Sequence, residues 1–346
     1  MSQAVMPLEK EEMNIRFVSC FAISLIALAV TAQAQNKVPR TPDGHPDFQG
    51  FWANNIATPL QRPPDLANHP VLSAAEVAAM KNKAKETYLS GKVDAAFGDG
   101  IFLAIWDSLY GSKSGKRFES FEPSTGDYSS EWNDQRVWDN RTSLITDPTD
   151  GRMPPVTARA KEMREAAAKA LRRPAWGPED RTLGERCLSS GSPRIGAGYQ
   201  SYFQFVETPA AFVVMTEMFH DARVLRLDGV PHPAASVHQW LGDSIAHWEG
   251  DTLVVDSTNY KDRAFQGVSS EKLHITERYT LQDADTVRWE LTVDDPDTWT
   301  KPWSLMIPLQ RSHEPVYEYA CHEGNVGLKG ILAGARADDA KMAAGK

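Results

Sequence analysis

Short apolar runs with polar residues at alternate positions fill the second half of the chain. Each run is rich in Val, Ile, Leu, Thr and aromatic residues and is bounded by Gly, Pro, Asp or Asn, a pattern typical of β-strands. The pattern predicts nine strands, at residues 202–208, 212–218, 223–228, 245–249, 252–260, 273–281, 287–293, 303–309 and 316–321. Most connections between them are short, which indicates consecutive hairpins and an antiparallel meander.

These strands predict a mainly β fold. Eight or nine antiparallel strands in about 120 residues form either a closed up-and-down barrel of the lipocalin type or a two-layer β-sandwich. We expect the barrel, because connections this short leave little chain for the Greek-key crossovers of a sandwich.

Helical signals are confined to the first half of the chain. Ser73 and Glu76 form a capping box for a helix that runs to about residue 90, and a second helix starts at Thr157 and ends before Pro174. The residues between them, 91–153, have no sustained period and are predicted to be irregular.

The patterns divide the mature chain into three parts. Residues 35–198 are predicted to form an extended and helical region that wraps on the sheet, because their apolar periodicity is too weak to build a separate core. Residues 199–335 form the predicted antiparallel β domain. Residues 336–346 are predicted to be a disordered tail.

The beginning of the chain has the pattern of an export signal. Arg16 precedes an apolar run at 17–30, and Ala32-Gln33-Ala34 has the small-x-small pattern of a signal-peptidase site. We therefore predict a signal peptide at 13–34, with residues 1–12 a wrongly assigned start, and a periplasmic or secreted mature protein. No membrane span is expected, because the apolar run is shorter than the roughly 20 residues that cross a bilayer.

The net charge and the cysteine content indicate which partners are improbable and whether a disulfide forms. Removing residues 1–35 subtracts two basic and three acidic side chains from 37 and 46, which leaves a net charge of −8. An acidic exported protein is a poor candidate for binding nucleic acid. Two cysteines remain, Cys187 and Cys321, and in an oxidising periplasm we expect one disulfide rather than two buried thiols.

The hairpin over residues 273–293 has the clearest alternation. Its apolar face carries Leu273, Ile275, Tyr279, Leu281, Val287, Trp289, Leu291 and Val293, which should point to the interior. Glu277 falls on the same face, whereas His274 falls on the solvent side. A carboxylate among apolar side chains must be paired or held neutral. Glu277 is therefore either a functional acid or base, or the structural partner of an inward-facing arginine.

Seven of the nine histidines lie between residues 202 and 325, so the predicted sheet also holds most of the candidate chemistry. The candidates share positions at strand ends or hairpin mouths and are His220, Asp221, Arg223, His247, His322 and Glu323. We expect His247 to be half-buried, and we expect the disulfide at Cys321 to hold His322 and Glu323 rigidly. The alternative for each group is an ordinary polar turn or a stapled strand end.

Sharper catalytic signatures are missing from the sequence. It contains no G-x-S-x-G, H-E-x-x-H or C-x-x-C motif, and residues 111–116 lack the spacing of a phosphate-binding loop. No cofactor is predicted. A zinc ion held by His220, His247 and His322 is left open, because three histidines can form a catalytic zinc site.

Five segments carry a family resemblance: TPDGHPDFQGFW at 41–52, RTSLITDPTDGR at 141–152, GERC at 184–187, HWEGDTLVVD at 247–256 and YACHEGN at 319–325. Together they resemble a secreted bacterial family of mostly hypothetical proteins. The resemblance covers nearly the whole mature chain and implies export and a single protein built from both halves. It also implies that residues 141–152 form a structured loop that closes one end of the barrel. It does not choose a reaction.

These observations predict an exported enzyme that performs proton transfer on a small, largely apolar molecule in a barrel cavity, as an isomerase, lyase or hydratase. Glu277 or His247 would be the base and His220 the acid, with Asp221 orienting it. Arg223 would stabilise negative charge, and His322 with Glu323 is the reserve pair. The predicted substrate-binding residues are Trp248, Tyr279, Trp289 and Arg141.

Two other functions are compatible with the sequence. A periplasmic carrier would bind hydrophobic small molecules in the same barrel without chemistry. An envelope protein would only present the loops of the sheet to a partner. The sequence leaves the oligomeric state open.

Overall fold

A computed structural model describes residues 38–89, 99–113, 136–171, 174–198 and 200–345. The predicted signal peptide and the segment before it lie outside the described residues. The strands are β1 (Gly50–Ala53), β2 (Ile145–Asp147), β3 (Tyr202–Glu207), β4 (Ala211–Thr216), β5 (Ala222–Arg226), β6 (Asp243–Glu249), β7 (Thr252–Thr258), β8 (His274–Leu281), β9 (Thr286–Asp294) and β10 (Trp303–Ser312). The helices are α1 (Ala74–Leu89), α2 (Asp99–Tyr110), α3 (Ala158–Leu171), α4 (Cys321–Gly324) and α5 (Val326–Ala343).

Nine strands close into a barrel, which confirms the predicted mainly β barrel fold. The order is β1-β3-β4-β5-β6-β7-β8-β9-β10, and β1 pairs with β10 to complete the ring, while β2 lies outside and pairs with β10. All neighbours are antiparallel except β5 and β6, which are parallel with Leu225 opposite Ser244. The parallel pair needs a crossover, which is the 16-residue segment 227–242, and Trp240 of this segment lines the cleft described below.

The barrel is closed by a strand from the first half of the chain. Residues 310–312 of β10 pair with β1, and Ser304 and Leu305 of β10 pair with β2, so these two short strands share one edge. Strand β1, which falls in the predicted wrapping region 35–198, is therefore a member of the barrel ring, and the boundary predicted at residue 198 does not separate the barrel from that region. The sequence pattern missed β1 because a four-residue strand is too short to show alternation.

The two predicted helices are present, and a third helix occupies part of the segment predicted to be irregular. Helix α2 places Ile101, Phe102, Ile105 and Trp106 in a small second core that also contains Met80 and Ala84 of α1. Its apolar residues recur at helical spacing, but the helix is too short for this pattern to stand out from its Gly- and Ser-rich surroundings.

The end of the chain also differs from the prediction. Residues 316–320 are not a strand, because the closed barrel leaves no free edge in its ring for another member. Helix α5 occupies most of the predicted disordered tail and begins inside the predicted β domain. Its Ala-rich sequence favours a helix, and Asn325 caps it by accepting a hydrogen bond from Leu328 N over 3.1 Å.

The interior of the barrel is filled by the predicted inward face. All eight residues of the 273–293 apolar face are buried. The rings of Phe205, Phe212, Tyr279 and Trp289 form a chain of neighbours with centroids 5.2 to 6.0 Å apart. In the part of the chain that the structure describes, these rings pack against each other rather than line a hollow. None of the described helices is both long enough and apolar enough to cross a membrane.

Candidate functional site

Glu277 lies inside the barrel, as its position on the apolar face predicted, and it is fully buried. Arg223 Nη2 and Nη1 donate to its Oε2 and Oε1 over 2.5 and 3.2 Å. Tyr279 Oη and Trp289 Nε1 also donate to Oε1, over 2.7 and 3.1 Å. The carboxylate thus accepts four hydrogen bonds, so both of its oxygens are engaged by protein donors inside the barrel.

The groups around Arg223 complete a closed polar cluster. Its Nη2 also donates to Ser244 Oγ and Ser257 Oγ, each over 3.2 Å. Burial lowers the pKa of Arg223, but the attraction of Glu277, Tyr260 and Tyr279 and the hydrogen bond to Glu277 together raise it, and the net shift is upward. Burial raises the pKa of Tyr279 well above its ordinary value, so its hydroxyl stays a donor. Of the two interpretations of Glu277, the geometry supports the structural partner of an inward-facing arginine.

His247 and Trp248 occupy opposite faces of β6. His247 lies outside, with 61% of its side chain exposed and Nε2 3.3 Å from Glu249 Oε1. Trp248 points inward, but His45 stacks on its ring at a centroid distance of 4.3 Å and Phe48 packs beside it at 6.1 Å. The prediction of a half-buried His247 is wrong, because the parity that turns Trp248 inward turns His247 outward. The N-terminal segment covers the ring that was predicted to bind a substrate.

Arg141 was predicted to bind a substrate and instead fastens the N-terminal region to the barrel. Its Nε donates to Asp139 Oδ2 over 2.7 Å, and its Nη1 donates to the Met306 carbonyl over 2.9 Å. Both contacts belong to the junction with β10, so Arg141 does not face the interior.

Three of the predicted polar residues come together at one end of the barrel. His220, His322 and Glu323 line a small cavity of about 170 Å³ beside Cys187 and Cys321. The predicted disulfide joins these cysteines, with Cα atoms 5.7 Å apart. It ties the segment before the barrel to α4 and so places His322 and Glu323 next to His220.

Asp221 does not orient His220. The His220 ring Nε2 lies 3.1 Å from Tyr319 N, which donates to it. The Asp221 carboxylate accepts a hydrogen bond from Ser189 Oγ over 2.8 Å, on the other side of the chain. Burial raises the pKa of Asp221, and the Ser189 hydrogen bond opposes that shift. His220 and Asp221 are neighbours in the sequence, but their side chains contact different segments.

The residues considered for zinc do not form one site. His247 lies on the outer wall and does not line the cavity of His220 and His322. Within the described ranges, no group of three His, Cys, Asp or Glu side chains could hold a metal ion.

A larger cleft than the cavity beside the disulfide lies outside the barrel wall, and we call it the loop cleft. It measures about 490 Å³ and is formed by α3, residues 179–191, Trp240 and residues 262–267. The sequence prediction placed no site residue here.

The two long walls of the loop cleft are bonded to each other. Ser192 N donates to the Ala264 carbonyl over 3.0 Å. Gly191 makes this approach possible, because it has φ +91° and a Cβ there would lie 3.0 Å from the same carbonyl oxygen. Arg263 and Gln266 on the facing loop also have left-handed φ values of 63° and 52°. Non-glycine residues held in this region are typical of functional sites.

Asp262 is the titratable group of the loop cleft with a shifted acidity. Burial raises its pKa, the nearby Arg263 opposes the shift, and Glu271 adds to it. Arg263 Nε lies 3.6 Å from the Asp262 carboxylate. The carboxyl group therefore retains its proton at a higher pH than an ordinary aspartate does, which suits proton donation.

Arg186 and Trp240 complete the loop cleft. Arg186 is partly buried and, within the described part of the chain, its guanidinium has no ion-pair or hydrogen-bond partner. The neighbouring Glu185 is occupied by Arg181 and by Thr182, whose N and Oγ1 donate to it over 2.9 Å. Trp240 is 38% exposed.

Two of the missed residues had a signal in the sequence. Thr182 and Glu185 have capping-box spacing, which predicts that the Glu185 carboxylate bonds to Thr182. The carboxylate is then not available to pair with Arg186, the next residue. Trp240 is a lone aromatic residue in the polar stretch after residue 230. No local pattern pointed to Asp262.

Comparison with known proteins gives no assignment for the chain. No protein-family model matches it, and neither a curated protein nor a solved structure shows significant similarity to it.

Proposed function

We propose that this protein is an exported enzyme that performs acid/base proton transfer on a small organic molecule bound in the loop cleft. The observation that carries the proposal is Asp262, a carboxyl group with a raised pKa in the wall of the loop cleft. Perturbed acids in clefts are candidates for catalysis. A cleft of about 490 Å³ also falls within the usual range for small-molecule sites.

Asp262 would act as the general acid. Its protonated carboxyl gives a proton to the substrate, and the carboxylate that forms lies beside the Arg263 guanidinium, 3.6 Å away. The same carboxylate then accepts a proton from another substrate atom or from water, which restores the starting state. Isomerisation, elimination and addition of water all follow this pattern.

The buried ion pair of Glu277 with Arg223 argues against Glu277 as the catalytic base. A base must reach the proton that it abstracts, and both oxygens of Glu277 are engaged by buried donors. The Cys187–Cys321 disulfide and the signal-like first residues support export.

The carrier is the second candidate function, and it uses the same cleft. It is favoured by Arg186 and Trp240, which are binding groups with no proton to exchange near neutral pH. A carrier would bind its ligand through them and leave it unchanged.

Deuterium incorporation separates these two functions. The mature protein is incubated in D₂O with a panel of small ketones, hydroxy acids and unsaturated acids, and mass spectrometry follows deuterium at carbon and product formation. We expect Asp262→Asn to lose at least a hundredfold in rate, which is within the usual range for a lost general acid. Asp338→Asn on α5, an exposed residue paired with Lys341, is the matched control and should keep the wild-type rate.

The same experiment tests the small cavity lined by His220, His322 and Glu323 as an alternative site. His220→Ala should keep the rate if the loop cleft is the site. Loss of turnover in His220→Ala with normal turnover in Asp262→Asn would move the chemistry to the cavity beside the disulfide. Binding of a panel compound without any exchange or conversion would favour the carrier.

A further inference from the structure

We infer that the loop cleft selects a small aromatic monocarboxylate, with Arg186 binding the carboxylate and Trp240 contacting the ring. This inference rests on the proposed function for the identity of the site, and it adds the chemical class of the ligand. It starts from the juxtaposition of an unpartnered guanidinium and an exposed indole in one cleft.

Arg186 supplies the anion-binding group. A partly buried guanidinium without a partner has lost part of its hydration and has gained no acceptor in exchange. Its planar fork matches a carboxylate with two parallel hydrogen bonds. The nearest carboxylate along the chain, Glu185, is held by Arg181 and Thr182 and does not compete. Among the described residues, no acceptor therefore engages the Arg186 guanidinium.

The charge of the cleft limits the ligand to one negative charge. The ionisable residues that line it balance three to three and are Arg181, Arg186, Arg263, Glu179, Asp180 and Asp262. Arg181 is paired with Glu185, and Arg263 Nε lies 3.6 Å from the Asp262 carboxylate, so among the lining arginines Arg186 is the one that no carboxylate of the described residues contacts. A dianion such as a phosphate monoester would meet the remaining carboxylates uncompensated. A monocarboxylate matches this balance.

Trp240 and the apolar part of the wall specify the body of the ligand. Lys261 Nζ lies 4.8 Å from the centroid of the Trp240 ring and so covers part of the indole. Gln239 N donates to Asn259 O over 2.8 Å, and Lys261 N donates to Gln239 O over 2.9 Å, which fixes the segment that carries Trp240. A rigidly held, partly exposed indole is suited to contact with a planar ring. Ala167 and Leu183 provide apolar wall.

The test measures binding of defined probes by calorimetry. The probes are 2-naphthoate, its uncharged methyl ester and inorganic phosphate, each titrated into the mature protein. We expect wild type to bind 2-naphthoate at least tenfold more tightly than the ester. Arg186→Met should weaken 2-naphthoate at least tenfold, the range for loss of a charge-assisted pair, and should leave the ester within twofold. Trp240→Ala should weaken both the acid and the ester.

The controls separate charge from folding. Lys301→Met, an exposed cation in a turn away from the cleft, should bind every probe as wild type does. Arg186→Lys keeps the charge without the planar fork and should lie between wild type and Arg186→Met. Thermal unfolding of each variant shows that it is folded at the titration temperature.

The binding results below either overturn the proposed ligand class or separate it from the acid/base role of Asp262. Wild type that does not bind 2-naphthoate at millimolar concentration, equal affinity for acid and ester, or stronger binding of phosphate would overturn it. Arg186→Met with wild-type affinity would do the same. If Arg186→Met loses binding while Asp262→Asn keeps full turnover, the ligand class stands and the acid/base role fails. If Asp262→Asn loses turnover while Arg186→Met keeps binding, the acid/base role stands and the ligand class fails.

Discussion

Arg223 and Glu277 form an ion pair inside the barrel, with side chains 5% and 0% exposed and Nη2 2.5 Å from Oε2. The pair joins β5 to β8, two strands that are not neighbours in the sheet. Because Tyr279 and Trp289 also donate to the carboxylate, the pair is the centre of a buried polar cluster in an otherwise apolar interior. We therefore expect replacements in this pair to change the free energy of unfolding.

Removing one member of this pair should be more costly than removing both. Glu277→Leu leaves the Arg223 guanidinium buried without its counter-ion, and we expect it to lower the free energy of unfolding by about 3–5 kcal/mol. The double variant Arg223→Met with Glu277→Leu leaves no uncompensated charge and should recover part of that loss, while Tyr279 and Trp289 still lack their acceptor. Denaturant unfolding followed by tryptophan fluorescence measures both. A double variant less stable than the single one would contradict the prediction.

Glu207 should make stability fall as pH rises towards neutrality. Burial raises its pKa from 4.5 to about 7, the hydrogen bond from Phe48 N opposes the shift, and Asp47 and Asp43 add to it. Between these two values the folded chain binds more protons at this site than the unfolded chain, so the free energy of unfolding decreases with pH. We expect a loss of about 2 kcal/mol between pH 4.5 and 7 after allowing for solvent screening.

Glu207→Gln should remove this slope. The amide has no proton to release, so the variant should gain stability relative to wild type as pH rises from 4.5 to 7. Unfolding curves at half-unit pH steps provide the measurement. Glu290→Gln on the outer wall, where Glu290 is paired with Arg288, is the control and should keep the wild-type slope. An unchanged slope in Glu207→Gln would rule out its assigned role.

Asp256 and His274 should contribute stability mainly in mildly acidic solution. The His274 ring lies 2.7 Å from the Asp256 carboxylate, and this hydrogen bond is the main cause that raises the pKa of His274 above 6.5. The same bond lowers the pKa of Asp256 below 3.8. The contribution is therefore fully present between about pH 4 and 6.5 and is lost as pH rises through the raised pKa of His274.

The variant Asp256→Asn should show this window. Both side chains are partly exposed, so we expect a loss of only about 0.5–1 kcal/mol at pH 6 and a smaller loss at pH 9. His232 also contacts Asp256, over 2.9 Å, and His232→Gln in the same background separates its share. An equal loss at both pH values would show that the contact is not charge-dependent.

Reduction of the disulfide should destabilise the whole barrel. The bond joins residues separated by 134 positions in the chain, and closing a loop of that length stabilises by about 4–5 kcal/mol in the chain-entropy treatment. Cys187→Ser with Cys321→Ser should match wild type in reductant, and both should unfold at lower temperature than the oxidised protein. Scanning calorimetry with and without reductant measures this. The same midpoint in all three samples would contradict the expectation.

Features encoded within a few residues of each other were predictable. The capping box predicted the start of α1, where Ser73 N donates to Glu76 Oε2 over 2.7 Å and Glu76 N donates to Ser73 Oγ over 3.2 Å. Alternation predicted the buried face of β8 and β9, including Glu277. The disulfide was predictable because the sequence has only two cysteines beyond the predicted signal peptide.

Features that join distant segments were not predictable. β1 closes the barrel through partners about 150 and 260 residues further along the chain, and no local pattern encodes such pairing. The same limit applies to the candidate site. His220 and Asp221 are neighbours in the sequence, yet one contacts Tyr319 and the other Ser189.

The sequence by itself determined the mainly β fold, the faces of the strands and the cysteine pair, because strand periodicity and residue chemistry act over short distances. Only the tertiary structure decided that Glu277 is closed off by Arg223 and that Arg186, Trp240 and Asp262 share a cleft. When the barrel closes, side chains fill its interior, so the cleft forms between connecting segments outside the wall. This packing depends on all strands together and is not encoded in any one segment.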